Sequence, residues 1–293
     1  MLIEIEKKSQ TYQFEANAGE KLLYAGLRAG VPLPFECATG TCGSCKARVN
    51  QGDVDEGWPE APGKERFKAA KREILMCQCS AQSDCSLSVP TKIAVFRDDD
   101  INPDHHVGLI TQYDMLTSDV LRFEVELPAD LSFHAGQFFV LQVPGVNGFR
   151  AYSMVNYSTG TNTLEFIIKQ NPSGALSKWM FDSDRSNEQI DLFGPLGRAT
   201  FHPDESHDLF MIAGGSGIAG LMSILEHGRQ VNHFKHHNVA LYFGVRTPAD
   251  FFFAERLRAV KAQFPDRVSI NIAFSNEPPT SEQLSGNDGL NYL

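Results

Sequence analysis

The stretch Cys37-Ala-Thr-Gly-Thr-Cys-Gly-Ser-Cys45 decides the fold, together with Cys77, which follows after a gap of 31 residues (46–76). It spaces Cys37, Cys42 and Cys45 as C-x4-C-x2-C, and only small residues separate them. Such a backbone can wrap closely and aim its N–H groups at anionic sulfurs. Four thiolates in this arrangement suit two tetrahedral irons, and the spacing is typical of a [2Fe-2S] site. The sequence therefore predicts a carrier of single electrons.

Two other uses of the cysteines fit the spacing less well. Structural zinc is usually held by two separated C-x2-C or H-x3-H knuckles, whereas here three cysteines share one loop. A disulfide framework needs more than six cysteines in 293 residues, and the chain opens with MLIEIEKKSQ, not with a charged and then apolar leader. We therefore expect a reducing cytoplasm. Spacing alone leaves Cys77, Cys79 and Cys85 open as the fourth ligand.

Length and composition limit the classes of protein. The 293 residues suit two or three domains, and 42% hydrophobic with 21% charged residues is typical of a folded globular chain. No apolar run approaches the roughly 20 residues that span a bilayer. The net charge of -10 argues against a nucleic-acid partner.

The hydrophobic pattern predicts three parts. Residues 1–95 suggest a small α+β unit, and a charged linker follows over 96–104. Residues 105–203 alternate apolar and polar positions between Pro/Gly turns, which predicts an antiparallel β-barrel. From residue 207 to 293 the order of strand, glycine turn, helix and strand predicts an α/β domain. Within the first part we expect a hairpin over 2–14, helices over 20–28 and 64–72, and a strand over 47–50.

Two motifs in the predicted barrel suit a ligand with a flat ring and a diphosphate. Arg150 and Tyr152 share one face of a predicted strand, and Ser153 offers a hydroxyl beside them. Gly174 and Ser177 open a predicted helix, whose N–H groups and dipole favour an anion. Each motif also has an ordinary structural explanation, a surface ladder for the first and an N-cap for the second.

A third signal lies in the α/β part. An apolar strand from Phe210 runs into Gly214-Gly215-Ser216-Gly217 and then into a predicted helix. Missing side chains let a backbone approach phosphates, although a plain tight turn explains the glycines equally well. The next predicted strand ends at Gly244, near Arg246, where α/β sheets bind ligands.

In this order the motifs resemble the ferredoxin-NADP reductase superfamily in its three-part form. R-x-Y-S, G-x-x-S, G-G-[ST]-G-[IL]-A and F-G-x-R are matched at 150–153, 174–177, 214–219 and 243–246. The resemblance implies a β-grasp plant-type [2Fe-2S] domain, an FAD-binding barrel and an NAD(P)-binding domain, and the L-x-C-Q at 75–78 favours Cys77 as the fourth ligand. The segment 57–63 (GWPEAPG) resembles reductase components of toluene- and alkene-type diiron monooxygenases. The cofactor-binding residues implied are Arg150, Tyr152, Ser153, Ile168, Lys169, Gly174, Ser177, Gly214, Gly215, Ser216, Gly217, Gly244 and Arg246.

The resemblance also implies a function. NADH would reduce FAD beside Tyr152 and Ser153, the catalytic residues, and electrons would pass singly to the cluster and then to an oxygenase or hydroxylase component or an intermediate ferredoxin. NADH is favoured over NADPH because one Arg, with Asp250 available for a ribose, follows Gly244. We expect a monomer.

The chain departs from the family pattern at two places. Position 220 is Gly instead of the usual Pro, and the family's C-G-P-P-x-M strand is missing, so the NAD(P) domain is expected to be truncated. Two alternatives follow for the function. One is a reductase for a deoxysugar dehydrase or for a quinone or ferric acceptor, and the other is an electron-carrier module with little NADH turnover.

Overall fold

The computed structural model describes residues 1–7, 10–65, 67–68, 71–90, 101–279, 281 and 289–293. Contacts divide the described chain into two compact units. The first contains residues 1–106, 139–151 and 191–196, and the second contains residues 107–138, 152–190 and 197–293. The first five residues of the expected linker over 96–104 lie outside the described residues, and the domain ranges 1–95, 105–203 and 207–293 stay predictions.

The first unit begins with a mixed five-stranded sheet and one helix. Strand β1 pairs antiparallel with β2 and parallel with β7, and the strand order is β2-β1-β7-β3-β5, while β4 and β6 form a separate antiparallel pair. This is the expected α+β arrangement. The bounds are Leu2–Lys7 (β1), Gln10–Glu15 (β2), Leu22–Arg28 (α1), Lys46–Gln51 (β3), Val54–Glu56 (β4), Glu73–Leu75 (β5), Cys79–Ala81 (β6) and Cys85–Ser88 (β7).

Local sequence patterns explain β1, α1 and β3, but the helix predicted over 64–72 is not found in the described part of that segment. The alternating β1 buries Ile3 and Ile5 completely, and α1 is buried from Leu22 to Leu27. The predicted hairpin, the helix that ends at Arg28 and the strand β3 are confirmed. The α-helix predicted over 64–72 is wrong for its described residues: Lys64 ends a 3-10 turn (Pro62–Lys64), Lys71 is in 3-10 conformation, and the others form turns and irregular backbone before β5. Arg66, Ala69 and Ala70 lie outside the described residues.

Strands β8 to β13 form the predicted antiparallel, barrel-like sheet, a half-barrel in the order β11-β10-β13-β8-β9-β12. Alternate residues of β9 point inward, so that Leu121, Phe123 and Val125 are completely buried. They pair across the sheet with β12, where Phe123 lies opposite Phe166. The bounds are Asp104–Met115 (β8), Val120–Leu131 (β9), Phe138–Gln142 (β10), Arg150–Ser153 (β11), Thr161–Lys169 (β12), Ala175–Asp182 (α2) and Gln189–Leu196 (β13).

The last part of the second unit is a parallel α/β sheet in the order β14-β15-β16-β17, as predicted. Its buried face carries Leu241, Phe243, Ile270 and Ile272, each with no exposed surface. Among the described residues no helix is long and apolar enough to cross a bilayer. The bounds are Leu209–Gly214 (β14), Ala219–Gln230 (α3), Val239–Val245 (β15), Ala254–Gln263 (α4), Val268–Phe274 (β16) and Asn291–Tyr292 (β17).

Candidate functional site

The four predicted cysteine ligands lie in the first unit and form two pairs. The Sγ atoms of Cys45 and Cys77 are 3.2 Å apart in the buried interior. Cys42 lies beside Cys37, whose sulfur accepts the Cys42 amide hydrogen at 3.4 Å, nearer the surface. No set of three or more His, Cys, Asp or Glu in the described part of the chain gathers around one point as ligands of a single metal ion. Two thiols for each of two irons is the arrangement that a [2Fe-2S] cluster needs.

Backbone and side-chain N–H groups surround these sulfurs. The amides of Thr39 and Cys42 each donate to Cys37 Sγ at 3.4 Å, and the amide of Ser44 donates to Cys42 Sγ at 3.5 Å. The Gln78 side chain donates to Cys77 Sγ at 3.5 Å. Such donors stabilise negative charge on sulfur and so favour thiolate ligands and a reduced cluster. The site therefore fits the predicted group through its donors as well as its cysteines.

The pKa is lowered at two of the proposed ligands, Cys37 and Cys77, and raised at Cys79. Burial raises the pKa of Cys37, but hydrogen bonds from the Thr41 side chain and the Thr39 amide outweigh it and lower the pKa to about 6. The hydrogen bond that Cys45 donates lowers the pKa of Cys77 and raises that of Cys45. Burial raises the pKa of Cys79 to about 12. Cys79 therefore stays a neutral thiol, as a free buried cysteine usually does.

Glycines bring the cysteine loop into direct backbone contact with a second segment. A Cβ on Gly43 would stand 2.9 Å from the Gly63 carbonyl oxygen, and Gly43 has φ +82°. A Cβ on Gly63 would stand 2.7 Å from the Gly43 nitrogen and 2.8 Å from the Gly40 carbonyl oxygen. The amide of Gly63 also donates to Gly40 O at 2.9 Å. The 57–63 segment, noted in the sequence only for a resemblance, thus braces the loop.

The strand predicted for the R-x-Y-S motif is β11, and flavin binding by its residues stays a prediction. Arg150, Tyr152 and Ser153 are half-buried on β11, and Arg150 Nη1 donates to the Phe149 carbonyl oxygen at 2.9 Å. Within the second unit, Ser153 lies beside the start of α3, since a Cβ on Gly220 would be 3.5 Å from Ser153 Oγ. That spacing is ordinary van der Waals contact, so position 220 has room for a side-chain carbon and packing does not require glycine there.

Gly174 and Ser177 shape the start of α2. Gly174 is the N-cap residue, in an extended conformation with φ -89°. The buried hydroxyl of Ser177 accepts the amide hydrogen of Asn171 at 2.7 Å, which fixes the turn ahead of the helix. In this bond the hydroxyl is the acceptor. A hydroxyl can accept and donate at the same time, so Ser177 can hold the turn and still donate its own hydrogen to an anion.

The glycine turn between β14 and α3 leaves open space. A Cβ on Gly214, Gly215 or Gly217 would meet nothing within 4 Å, and Gly215 has φ +52°. Next to this turn is a cavity of about 500 Å³ in the second unit. It lies at the carboxyl ends of the parallel strands, where dinucleotides bind in sheets of this kind. Its lining residues include the predicted Lys169, Gly215, Gly244 and Arg246, and also Asp119, Asp250, Phe252, Phe274 and Ser275.

Two carboxylates form ion pairs with Arg246, the cationic side chain predicted from the sequence near the end of β15. Arg246 Nη2 lies 2.6 Å from Asp250 Oδ1 and 2.8 Å from Asp119 Oδ2. Lys169 Nζ also lies 3.6 Å from Asp119. Hydrogen bonding from Arg246 lowers the pKa of Asp250, which also accepts from the Thr247 amide and hydroxyl. Sequence reasoning missed Asp119, because it is 127 residues away from Arg246 in the chain.

Comparisons with known proteins agree with this organisation. The chain matches the models of a 2Fe-2S iron-sulfur cluster binding domain over residues 5–82, an oxidoreductase FAD-binding domain over 108–201 and an oxidoreductase NAD-binding domain over 211–287. It is 35% identical over 278 residues to the ferredoxin–NAD(+) reductase component of the alkene monooxygenase system of Xanthobacter autotrophicus, covering 94% of this chain and 82% of that protein.

Other relatives and solved structures extend the comparison. The xylene/toluene monooxygenase electron transfer component XylA of Pseudomonas putida is 25% identical, over 94% of this chain and 77% of that protein. The structure of the ferredoxin reductase in carbazole 1,9a-dioxygenase superimposes with a TM-score of 0.76 at 26% identity, covering 99% of this chain and 97% of that chain. The Amycolatopsis cytochrome P450 reductase GcoB gives a TM-score of 0.77 at 26% identity, covering 99% and 83%.

Proposed function

We propose that this chain, which belongs to the family of ferredoxin–NAD(P)+ reductases with an N-terminal [2Fe-2S] domain, is the reductase component of an oxygenase system. It passes electrons from NADH through FAD and the cluster to an oxygenase or hydroxylase partner. The observation that carries the proposal is the pairing of four thiols among N–H donors, three thiols from the 37–45 loop and the fourth from Cys77, which lies 3.2 Å from Cys45. The cluster held by these cysteines would be the point from which single electrons pass to the partner.

The ligand set follows from the pairs. Cys37 and Cys42 hold one iron, and Cys45 and Cys77 hold the other, because these thiols already lie together. The lowered pKa of Cys37 makes a thiolate available near neutral pH. Cys79 and Cys85 remain thiols in the core of the sheet.

The bound groups supply the redox chemistry: NADH gives a hydride, FAD accepts it and divides two electrons, and the cluster carries one electron at a time. The residues of the chain bind and orient these groups. Arg150 neutralises the diphosphate of the flavin, Tyr152 packs on its ring and Ser153 donates a hydrogen bond to it. Gly174 and Ser177 present the start of α2 to the diphosphate, and Ile168 and Lys169 complete the flavin site at the end of β12.

The nicotinamide dinucleotide binds in the cavity beside the β14–α3 glycine turn. Gly214, Gly215, Ser216 and Gly217 accept its phosphates against the backbone, which the open space above the glycines supports. At the end of β15, next to Gly244, Arg246 is already neutralised by two carboxylates. With Lys169 beside Asp119, two cations and two carboxylates balance in this cavity, so a 2′-phosphate would meet no net positive charge from these four groups and NADH is the better reductant than NADPH. Comparing kcat/KM for the two coenzymes tests the choice, and equal values would refute it.

The partner is a diiron monooxygenase that acts on aromatic or alkene substrates. Support comes from the GWPEAPG segment at 57–63 and from relatives that are named as alkene, xylene/toluene, propane and phenol monooxygenase components. The protein acts as a monomer. It works in the cytoplasm, since all six cysteines are free thiols and cluster assembly requires reduced cysteines.

The test combines spectroscopy with a coupled reaction. The purified chain should contain FAD and a [2Fe-2S] cluster, and NADH should bleach first the flavin and then the cluster absorbance in a stopped-flow experiment. Added to a diiron hydroxylase, it should support substrate oxidation that depends on NADH. A chain that binds zinc, or whose cluster stays oxidised with excess NADH, would refute the proposal. Efficient reduction of a quinone without any transfer to a hydroxylase would favour the non-oxygenase alternative.

A further inference from the structure

Tyr24 is a buried tyrosine whose hydroxyl contacts the cysteine loop. It lies on α1 with 1% of its surface exposed, and its hydroxyl donates to the carbonyl oxygen of Ala38 at 2.9 Å. Ala38 directly follows Cys37 and has φ +56°, a conformation uncommon for a residue with a side chain. Such a conformation persists only where the surroundings hold it. The Tyr24 hydroxyl is one such restraint.

The peptide group that Tyr24 contacts also contacts a proposed ligand. The carbonyl of Ala38 and the amide of Thr39 belong to one planar unit. While the carbonyl accepts from Tyr24, the Thr39 amide donates to Cys37 Sγ at 3.4 Å. A rotation of this peptide would therefore break both hydrogen bonds together. The tyrosine hydroxyl thus acts on the sulfur through a rigid unit, without touching it.

The ring of Tyr24 is itself held by aromatic residues of the same unit. It stacks on Phe193 with centroids 4.5 Å apart and an interplanar angle of 19°. It meets Phe149 edge-on at 5.3 Å, and Phe149 directly precedes Arg150 on β11. Paired aromatic rings restrict the position of a side chain in the core. The hydroxyl is consequently aimed at Ala38 by contacts with both β13 and the approach to β11.

We propose that Tyr24 is a positioning residue for the [2Fe-2S] cluster: its hydroxyl fixes the Ala38–Thr39 peptide so that the Thr39 amide stabilises the sulfur of Cys37. The inference rests on the proposed function, because it needs the cluster. Hydrogen bonds to ligand sulfurs raise the reduction potential, since the reduced cluster carries more negative charge. Tyr24 therefore helps the cluster to accept an electron from the flavin. The transfer is of one electron from reduced flavin to oxidised cluster, and no bond or proton of Tyr24 changes.

The test replaces the hydroxyl alone. Tyr24→Phe keeps the stacked ring, and loss of one hydrogen bond should shift the flavin–cluster equilibrium toward reduced flavin by roughly 2- to 10-fold. The midpoint potential of the cluster should become more negative, and release of iron to a chelator should accelerate by a similar factor. Tyr12→Phe is the matched control, because its hydroxyl donates to the exposed Gln10 side chain in β2. The control should leave both measurements unchanged.

A double-mutant cycle tests the route through the hydroxyl. Phe193→Leu loosens the Tyr24 ring and should shift the potential in the same direction, but it should add nothing in the Tyr24→Phe background. Additive shifts, or an unchanged potential and iron-release rate in Tyr24→Phe, would overturn the inference. If Tyr24→Phe cannot be isolated with iron, the Phe193→Leu shift alone decides, and its absence overturns the inference. A parent chain that binds no cluster would instead refute the proposed function.

Discussion

Gly63→Ala should remove the cluster while leaving the flavin in place. Gly63 lies outside the cysteine loop, yet its amide donates to Gly40 O at 2.9 Å. A methyl group there would stand 2.7 Å from the Gly43 nitrogen and 2.8 Å from the Gly40 oxygen, whereas ordinary contact begins at 3.4 Å. The loop would have to move back by 0.7 Å (3.4 − 2.7) and 0.6 Å (3.4 − 2.8) at these two atoms. Both are backbone atoms, which a rotamer change cannot move aside.

The size of the effect follows from the steric and hydrogen-bond terms. Gly63 is not in the left-handed region, so the substitution adds no backbone strain. Overpacking costs about 1–3 kcal/mol, and loss of the Gly63–Gly40 hydrogen bond costs about 0.5–1.5 kcal/mol. Together they destabilise the closed loop by about 1.5–4.5 kcal/mol, which corresponds to a roughly 10- to 1,600-fold lower population. A loop so rarely closed should hold the four cysteines poorly for iron.

The assay counts cofactors. After anaerobic reconstitution, Gly63→Ala should contain far less iron and sulfide per chain than the parent, with an unchanged FAD content. Gly19→Ala is the control, because Gly19 has φ +77° but a Cβ there meets nothing within 4 Å. It should lose about 1–2 kcal/mol of stability from the left-handed backbone and keep its iron. Full iron content and a parental iron-release rate in Gly63→Ala would refute the role of this segment as a brace.

Three further expectations test the assignments. Cys42→Ser should lose or damage the cluster, because a serine oxygen is a harder ligand for iron, while NADH-dependent ferricyanide reduction persists and cytochrome c reduction collapses; equal loss of both activities would contradict the electron route. Arg150→Ala should lose FAD and keep iron, as absorbance and metal analysis would show, and joint loss would contradict the assignment of Arg150 to the flavin. In the cluster-free chain at pH 7, iodoacetamide should label Cys37, whose pKa of about 6 leaves it a thiolate, before Cys79, whose pKa of about 12 keeps it a thiol. The rate of Cys37 labelling should fall as pH falls through 6, because the thiol becomes protonated. Peptide mass mapping would measure the order, and preferential labelling of Cys79 would contradict it.

The elements that the sequence predicted are those that depend on local patterns. The cysteine spacing, the alternation in β1 and the apolar run of α1 all act over a few residues. The helix expected over 64–72 failed for its described part, since that segment follows a turn tied to the cysteine loop through Gly63 and continues into β5. Tertiary contacts thus overrode local propensity there. The pattern also marked Tyr24 only as part of an apolar face, and nothing local indicates where its hydroxyl points.

The ion pairs of Arg246 at the nucleotide site were not predicted from the sequence. Asp250 was expected to serve a ribose, and in the structure it is engaged with Arg246 and Thr247. Asp119 comes from β8–β9 and reaches the same guanidinium across the second unit. Neither residue belongs to the glycine motif. Asp119 and Arg246 are far apart in the sequence, so no local motif indicates that they form an ion pair. The pair becomes visible only in the folded structure.

The glycines at the cysteine loop and those at the β14–α3 turn have different surroundings, although both sets appear as glycine motifs in the sequence. At Gly43 and Gly63 a Cβ would collide with backbone, so glycine is there to let two chain segments touch. At Gly214 and Gly217 a Cβ would meet nothing, so glycine leaves room that the folded chain does not fill. The first pair is needed for the loop to close, whereas packing within the folded chain does not require the second pair. Open space alone is no argument for a ligand, because Gly19 also has nothing within 4 Å. What supports a bound dinucleotide at the β14–α3 turn is that Gly215 lines the cavity of about 500 Å³ at the carboxyl ends of the strands.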